Sequence, residues 1–182
     1  MEIAVSRSKI SGQVEIPGSK SHTIRAIVLA SLAKGTSTIK APLVSEDTVS
    51  CLQAASTLGA WIKRGDDTIW RISGTGGKLL QPAGVIDKGN SGTGLRLFTS
   101  IAARADFPIS FDGDESLRTR PMASLLAALQ AMGAKVESAN GKCPLSVTGP
   151  INGAEVTIEG KTSQYLSSLL FAAPLLEKDT II

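Results

Sequence analysis

The chain has 182 residues, 42% of them apolar, enough for one ordinary domain with a sizeable core. Lys and Arg number 19 against 16 acidic residues, and the net charge of +3 is too weak to argue for a nucleic-acid partner. Aromatic residues, at 4%, are too scarce for a base-stacking platform, and no apolar run reaches the length of about 18 that a membrane span needs.

The first residues, MEIAVSRSKI, lack the apolar core of a signal peptide and are not a basic, Ser-rich transit peptide. A cytoplasmic location is expected. Cys51 and Cys143 are far apart and show no CxxC spacing. A disulfide stays open, but two buried free thiols are the simpler reading. One His and two scattered Cys make a metal site unexpected.

In chain order, a lead-in strand is expected over residues 1–11. The stretch GQVEIPGSKSHTIRAIVLASLA then reads as a short alternating strand, a Gly turn and an apolar helix over Ser19 to Ala33. STIKA is a strand and Glu46 to Leu58 a second helix. WIKRGDDTIWRIS is a hairpin candidate.

The same order then returns. Gly18, Gly89 and Gly160 recur at a 71-residue step, as do Val14, Val85 and Val156, and Ile24, Leu95 and Leu166. Arg25 and Arg96 correspond, and the third copy has Ser167 there. In the second copy a helix is expected over Asn90 to Arg104, a strand at FPISF, and a helix over Pro121 to Met132. Pro121 suits a first helical turn, where its missing N–H costs nothing. KVESANGKCPLSV is a hairpin candidate with an Asn-Gly turn. In the third copy a helix is expected over Ser163 to Leu176, kinked at Pro174.

The unit is β-α-β-α-β-β. A step this long is a small supersecondary domain rather than a solenoid repeat. The first helix of each copy has little polar face, so these helices are expected inside with the sheets outside. The fold class is therefore α/β (α+β), with copies over 12–82, 83–152 and 153–182. The third copy stops at EKDTII, inside an expected strand, and reads as part of a longer chain.

Each copy places small polar residues where a helix begins: GSKS, GNSGTG and GKTSQ. Helix N-termini present unpaired N–H groups and partial positive charge, which suit phosphate or carboxylate. For one such turn an N-cap role at Ser19, Asn90, and Thr162 or Ser163 is the simpler reading. Three equivalents with cations nearby favour an anion site. GKT is no P-loop, because Glu155 stands where that motif needs Gly. Gly89, Gly92 and Gly94 do not have dinucleotide-fingerprint spacing.

PGSKSHTIRA, GNSGTGLR, GDESLRTRPMASLLAALQAMGA and KTSQYLSSLLFAAPL together resemble the 5-enolpyruvylshikimate-3-phosphate synthase family. The likeness runs over essentially the whole chain and covers the N-terminal part of that family. It implies an inside-out α/β barrel domain of three such copies, with the lead-in strand belonging to a second domain. It implies transfer of the carboxyvinyl group of phosphoenolpyruvate to the 5-hydroxyl of shikimate 3-phosphate, through addition and then elimination of phosphate, by a monomeric enzyme with no cofactor. Lys20 resembles the lysine that contacts both substrates and has a proton-transfer role. Ser21, Arg25, Thr162, Ser163 and Gln164 resemble shikimate 3-phosphate ligands. Asn90, Gly92, Arg120 and Gln164 resemble phosphoenolpyruvate ligands. For each of these the bland alternative is a cap, a tight turn or a solvated charge, and Arg118 competes with Arg120 for its role. Arg96 is either a rim group or a structural ion pair, and His22 is read as incidental.

Leu97 stands where that family usually has Pro. The resemblance also implies that groups from a C-terminal half complete the cleft, so this segment alone is expected to be inactive. Three rivals remain at this stage. A related transferase acting on a UDP-sugar typically has Asn where Ser21 stands. The others are a non-catalytic anion-binding half and an RNA-binding protein of similar units.

Overall fold

The computed structural model describes residues 3–66 and 68–182. It contains six α-helices, seven strands and one 3-10 turn among those residues.

The first copy opens with α1 (Lys20–Leu32), started by Ser19, whose side chain accepts the amide of His22. Strand β1 (Thr36–Lys40) follows, then α2 (Glu46–Thr57), which a reciprocal Ser45–Thr48 capping box starts. Strands β2 (Trp61–Arg64) and β3 (Ile69–Ser73) form the expected hairpin, whose residue 67 lies outside the described residues. The sheet order is β1-β3-β2, antiparallel throughout.

The second copy repeats this order with one strand more. Strand β4 (Ile86–Asp87) precedes α3 (Gly92–Ala102), and β5 (Ile109–Asp112) follows it. Then come α4 (Glu115–Thr119), α5 (Ala123–Ala131), β6 (Lys135–Ser138) and β7 (Leu145–Thr148). The order is β4-β5-β7-β6, with β4 and β5 parallel. In the β6–β7 hairpin Asn140 and Gly141 both take positive φ, 54° and 71°, as the Asn-Gly turn requires.

The third copy contributes α6 (Ser163–Ala172), a 3-10 turn over Ala173–Leu175, and a parallel bridge between Glu155 and Ile181. That bridge stands where β4 meets β5 in the second copy. The helix ends earlier than expected because Pro174 cannot donate into an α-helical turn.

Helix α3 is central. It packs on α1, α2 and α6, and every residue from Gly94 to Ala102 is buried. The Ser100 and Ser168 hydroxyls bond across the α3–α6 contact, and Ser168 also bonds the Arg96 carbonyl. Trp70, Ile72, Ile109, Phe111 and Val147 pack from the sheets onto these helices. Helices inside and sheets outside is the arrangement expected from the apolar first helices.

Three expectations on local structure are corrected. The opening strand of the first copy, and a strand over 3–11, are not formed: residues 3–18 contain neither helix nor strand, and Val14 and Ile16 are exposed. A strand forms only with a ladder partner. Ile86 and Asp87 have β5, whereas the outer edge of β1 is unpaired among the described residues. Residues 1 and 2 of the lead-in segment lie outside the described residues. Second, Asn90 does not cap α3. Ser91 does, by accepting the amide of Gly94. Third, Pro121 is not in a helix. The segment breaks into the short α4, capped by Asp114, and α5, which starts two residues after Pro121.

Candidate active site

The N-termini of α1, α3 and α6, with Arg120 from the end of α4, carry the expected site residues, and their side-chain contacts fall into two groups that meet on α6. In the first group Lys20 begins α1, and its ammonium donates to Asp47 Oδ2 at 2.9 Å. Asp47 lies in the first turn of α2, where negative charge is favourable. Arg25 lies along α1 from Lys20. It donates to the Ser21 carbonyl at 3.2 Å and to Ser167 Oγ, on α6, at 3.1 Å. Arg25 and Ser167 hold equivalent places in copies one and three, so the internal symmetry brings them face to face.

The second group surrounds the glycine turn. Asp87 Oδ1 accepts the Gly89 amide at 2.8 Å, and the Gly89 carbonyl accepts the Asp114 amide at 2.9 Å. This fixes Asn90 at the head of α3. Arg120 donates to Asn90 Oδ1. A Cβ at Gly92 would lie 2.6 Å from Arg120 Nη1 and 3.1 Å from Arg96 Nη1, so two guanidinium groups close over this glycine. Arg96 is 8% exposed and donates to Gln164 Oε1 at 2.7 Å and to the Pro121 carbonyl at 3.1 Å. The Tyr165 hydroxyl donates to that carbonyl at 2.8 Å, and its ring lies against the Arg96 guanidinium, 5.5 Å from the ring centroid.

Gln164 and Ser167 are three residues apart on α6 and so share a face. Through them the Arg25 group and the Arg96–Arg120 group join. Thr162 caps α6 by accepting the Gln164 amide at 3.2 Å. Thr162 and Ser163 line a groove whose other walls include Val156, Ile158, Leu166 and Ile182. All nine expected site residues therefore lie at or near the three helix starts. The direct contacts tie Asn90, Gly92, Arg120 and Gln164 together through Arg96, and Arg25 to α6. Lys20 contacts Asp47 instead.

The geometry separates the two candidate arginines. Arg118 is held by Asp112 through two bonds, Nε to Oδ1 at 2.9 Å and Nη2 to Oδ2 at 2.6 Å. Those bonds hold the Asp112 carboxyl below the usual carboxylate range. Arg120 has no carboxylate partner among the described residues and faces the glycine turn. Arg96 likewise has no ion pair among the described residues, which removes the structural ion-pair reading. His22 is exposed.

Sequence reasoning missed Asp47, Tyr165 and Lys88. Asp47 is 27 residues from Lys20, so no local spacing links the two. Lys88 directly precedes Gly89, yet its side chain is fully buried. Among the described residues no group of three or more His, Cys, Asp or Glu side chains is placed to hold a metal ion. Chemically, the site offers helix N-terminal amides, four cations and several neutral donors. Groups of these kinds suit oxyanions.

A family model described as EPSP synthase (3-phosphoshikimate 1-carboxyvinyltransferase) matches residues 5–182. The chain belongs to the EPSP synthase family. It is 50% identical to the 3-phosphoshikimate 1-carboxyvinyltransferase of Methanocorpusculum labreanum, over all of this chain and 43% of that protein. It is 46% identical to the enzyme of the same name from Acetivibrio thermocellus, over 99% of this chain and 43% of that protein. An EPSP synthase structure from Acinetobacter baumannii superposes with a TM-score of 0.86 at 32% identity, covering 93% of this chain and 39% of that one. The chain thus spans well under half the length of these EPSP synthase relatives. The fold of repeated units with inner helices is the EPSP synthase fold over that part. Leu97, where the family resemblance leads one to expect Pro, is fully buried in α3.

Proposed function

We propose that the chain forms the N-terminal part of an enolpyruvyl transferase. That enzyme moves the carboxyvinyl group of phosphoenolpyruvate to the 5-hydroxyl of shikimate 3-phosphate and releases phosphate. The observation that carries this reading is the gathering of Arg25, Arg96 and Arg120 where α1, α3 and α6 begin, with Gln164 and Ser167 joining them. Both substrates are multiply charged anions, and a planar guanidinium binds such groups bidentately.

In this reading Ser21, Arg25, Thr162, Ser163 and Gln164 bind shikimate 3-phosphate. Asn90, Gly92, Arg120 and Gln164 bind phosphoenolpyruvate. Gly92 admits the ligand to the backbone, because any Cβ would enter the space the arginines share. Lys20 touches both substrates and moves a proton, with Asp47 holding its ammonium in place before they arrive. The reaction adds the 5-hydroxyl oxygen to the enol carbon and a proton to the methylene carbon. Elimination then returns a proton and expels phosphate. Residues outside this chain complete the cleft. The enzyme acts as a monomer in the cytoplasm.

The test is calorimetric titration of the full-length protein with shikimate 3-phosphate. Tight binding that falls at least about tenfold, or about 1.4 kcal/mol, in Ser163→Ala supports the reading. Binding of a UDP-sugar in its place overturns it.

A further inference from the structure

We propose that Lys88 is a positioning residue for the anion site at the start of α3. Its ammonium holds the Asn90–Gly92 turn from beneath and supplies positive potential to it. The inference rests on the reading of that turn as the phosphoenolpyruvate segment.

A lysine is almost never fully buried unless something holds it. Lys88 is 0% exposed. Its Nζ donates to the Ser50 carbonyl at 3.2 Å and to Cys51 Sγ at 3.5 Å, and it sits 4.6 Å from the centroid of the Phe98 ring. A carbonyl oxygen, a thiol sulfur and a ring face match the three donors of an ammonium group. Ser50 and Cys51 belong to α2 and Phe98 to α3. The Lys88 backbone bonds the Asp112 carbonyl at 2.8 Å and accepts the Ser91 amide at 2.9 Å. One residue therefore ties α2, α3, the end of β5 and the glycine turn.

The route of the side chain is fixed by Gly94. A Cβ there would lie 2.4 Å from Cys51 Sγ, 2.7 Å from Ser91 Oγ and 3.2 Å from Lys88 Cε. The lysine stem thus passes directly under the first turn of α3, in room that only glycine leaves open. No carboxylate bonds this ammonium among the described residues. Asp87 and Asp47, whose charges reach it, are engaged elsewhere: Asp87 Oδ1 accepts the Gly89 amide, and Asp47 is paired with Lys20. The ammonium is thus bonded to neutral partners among the described residues, and a buried charge is little screened by salt. A cation beneath a helix N-terminus is unfavourable while the site is empty and favourable once an anion occupies it. The arrangement thus favours the occupied state, and it does so without Lys88 touching the ligand.

The experiment uses Lys88→Met in the full-length protein, which keeps the length of the stem and removes the charge. The expected result is a KM for phosphoenolpyruvate and a Kd for inorganic phosphate raised about tenfold, from the loss of one nearby charge in a low-dielectric site. The kcat stays within about twofold, the affinity for shikimate 3-phosphate changes little, and Tm does not fall. Should Lys88→Met not fold, Lys88→Gln carries the same test, since it keeps a donor toward the Ser50 carbonyl. Unchanged KM and Kd overturn the inference alone. Equal weakening of both substrates with a lower Tm also overturns it, because that is the signature of a merely structural lysine. A wild-type protein that turns over no phosphoenolpyruvate overturns the functional reading and this inference with it.

Discussion

The turns that open α1 and α3 descend from the same repeated unit, yet the molecule builds them differently. At α3 the turn is enclosed: β4 pairs with β5, Ser91 and Gly92 are buried, and Lys88, Arg96 and Arg120 pack around it. At α1 the preceding strand is unformed, Ser19, Lys20 and Ser21 are exposed, and Lys20 is tied to Asp47 by an ion pair. The glycines show the same split. Gly18 is crowded by backbone, with a Cβ 2.4 Å from the Ala41 carbonyl, while its equivalent Gly89 has open space but a φ of 52°. One copy fixes its turn by close chain packing, the other by left-handed backbone and buried side chains. In the proposed reading the α3 turn is the more enclosed of two anion sites and the α1 turn the more exposed one.

Substitutions can break or sharpen this contrast. The largest expected effect is at Arg96. Arg96→Ala removes a nearly buried side chain and leaves Gln164 Oε1 without its donor, while the Pro121 carbonyl keeps only Tyr165, and should cost about 3 kcal/mol by urea denaturation. Gly18→Ala comes next. Its clash is with backbone rather than flexible side-chain ends, so stability should drop by about 2 kcal/mol. Gly92→Ala meets arginine side-chain atoms rather than backbone, so denaturation midpoints should hardly move while the KM for phosphoenolpyruvate rises about tenfold, some 1.4 kcal/mol. If Gly92→Ala instead unfolds the protein and Gly18→Ala does not, the contrast is reversed and fails.

Smaller effects concern pH. Burial lowers the folded pKa of Lys88 below its usual 10.5, so the unfolded chain holds the extra proton between that lowered value and 10.5. Stability should rise with pH across that window. Burial, with the charge of Asp112, pushes the Cys143 thiol up from 9.0 to about 11. There the unfolded chain releases its proton first, so stability should fall between pH 9 and 11. Denaturant titrations through the alkaline range should lose the rise in Lys88→Met and the fall in Cys143→Ala. The smallest expected change is Asp47→Asn. An exposed ion pair contributes well under about 1 kcal/mol, so stability should stay level while turnover falls through the misplaced Lys20.

Much of this was legible in the sequence because the repeat supplies its own alignment. Ser19, Thr162 and the Asn-Gly turn behave as their residue types dictate, and the apolar first helices are inside. What local pattern could not reveal depends on distant partners. Asn90 looks like a cap, but its carboxamide serves Arg120 while Ser91 caps the helix. Pro121 looks like a helix start, but its carbonyl is taken by Arg96 and Tyr165 from two other elements. Lys88 stands beside the turn in sequence, and nothing local shows that α2 and α3 close over it. The opening strand of the first copy has the right alternation, but alternation without a ladder partner makes no strand.

In the proposed reading two anions occupy this face, one held by the α1–α6 contact and the other by the α3 turn. Parallel calorimetric titrations of Arg25→Ala and Arg120→Ala in the full-length protein test it most directly. Arg25→Ala should weaken shikimate 3-phosphate by at least about tenfold, and Arg120→Ala should raise the Kd for phosphoenolpyruvate by at least as much while leaving shikimate 3-phosphate binding nearly unchanged. Equal losses for both ligands in both variants, or no loss in either, would contradict the account.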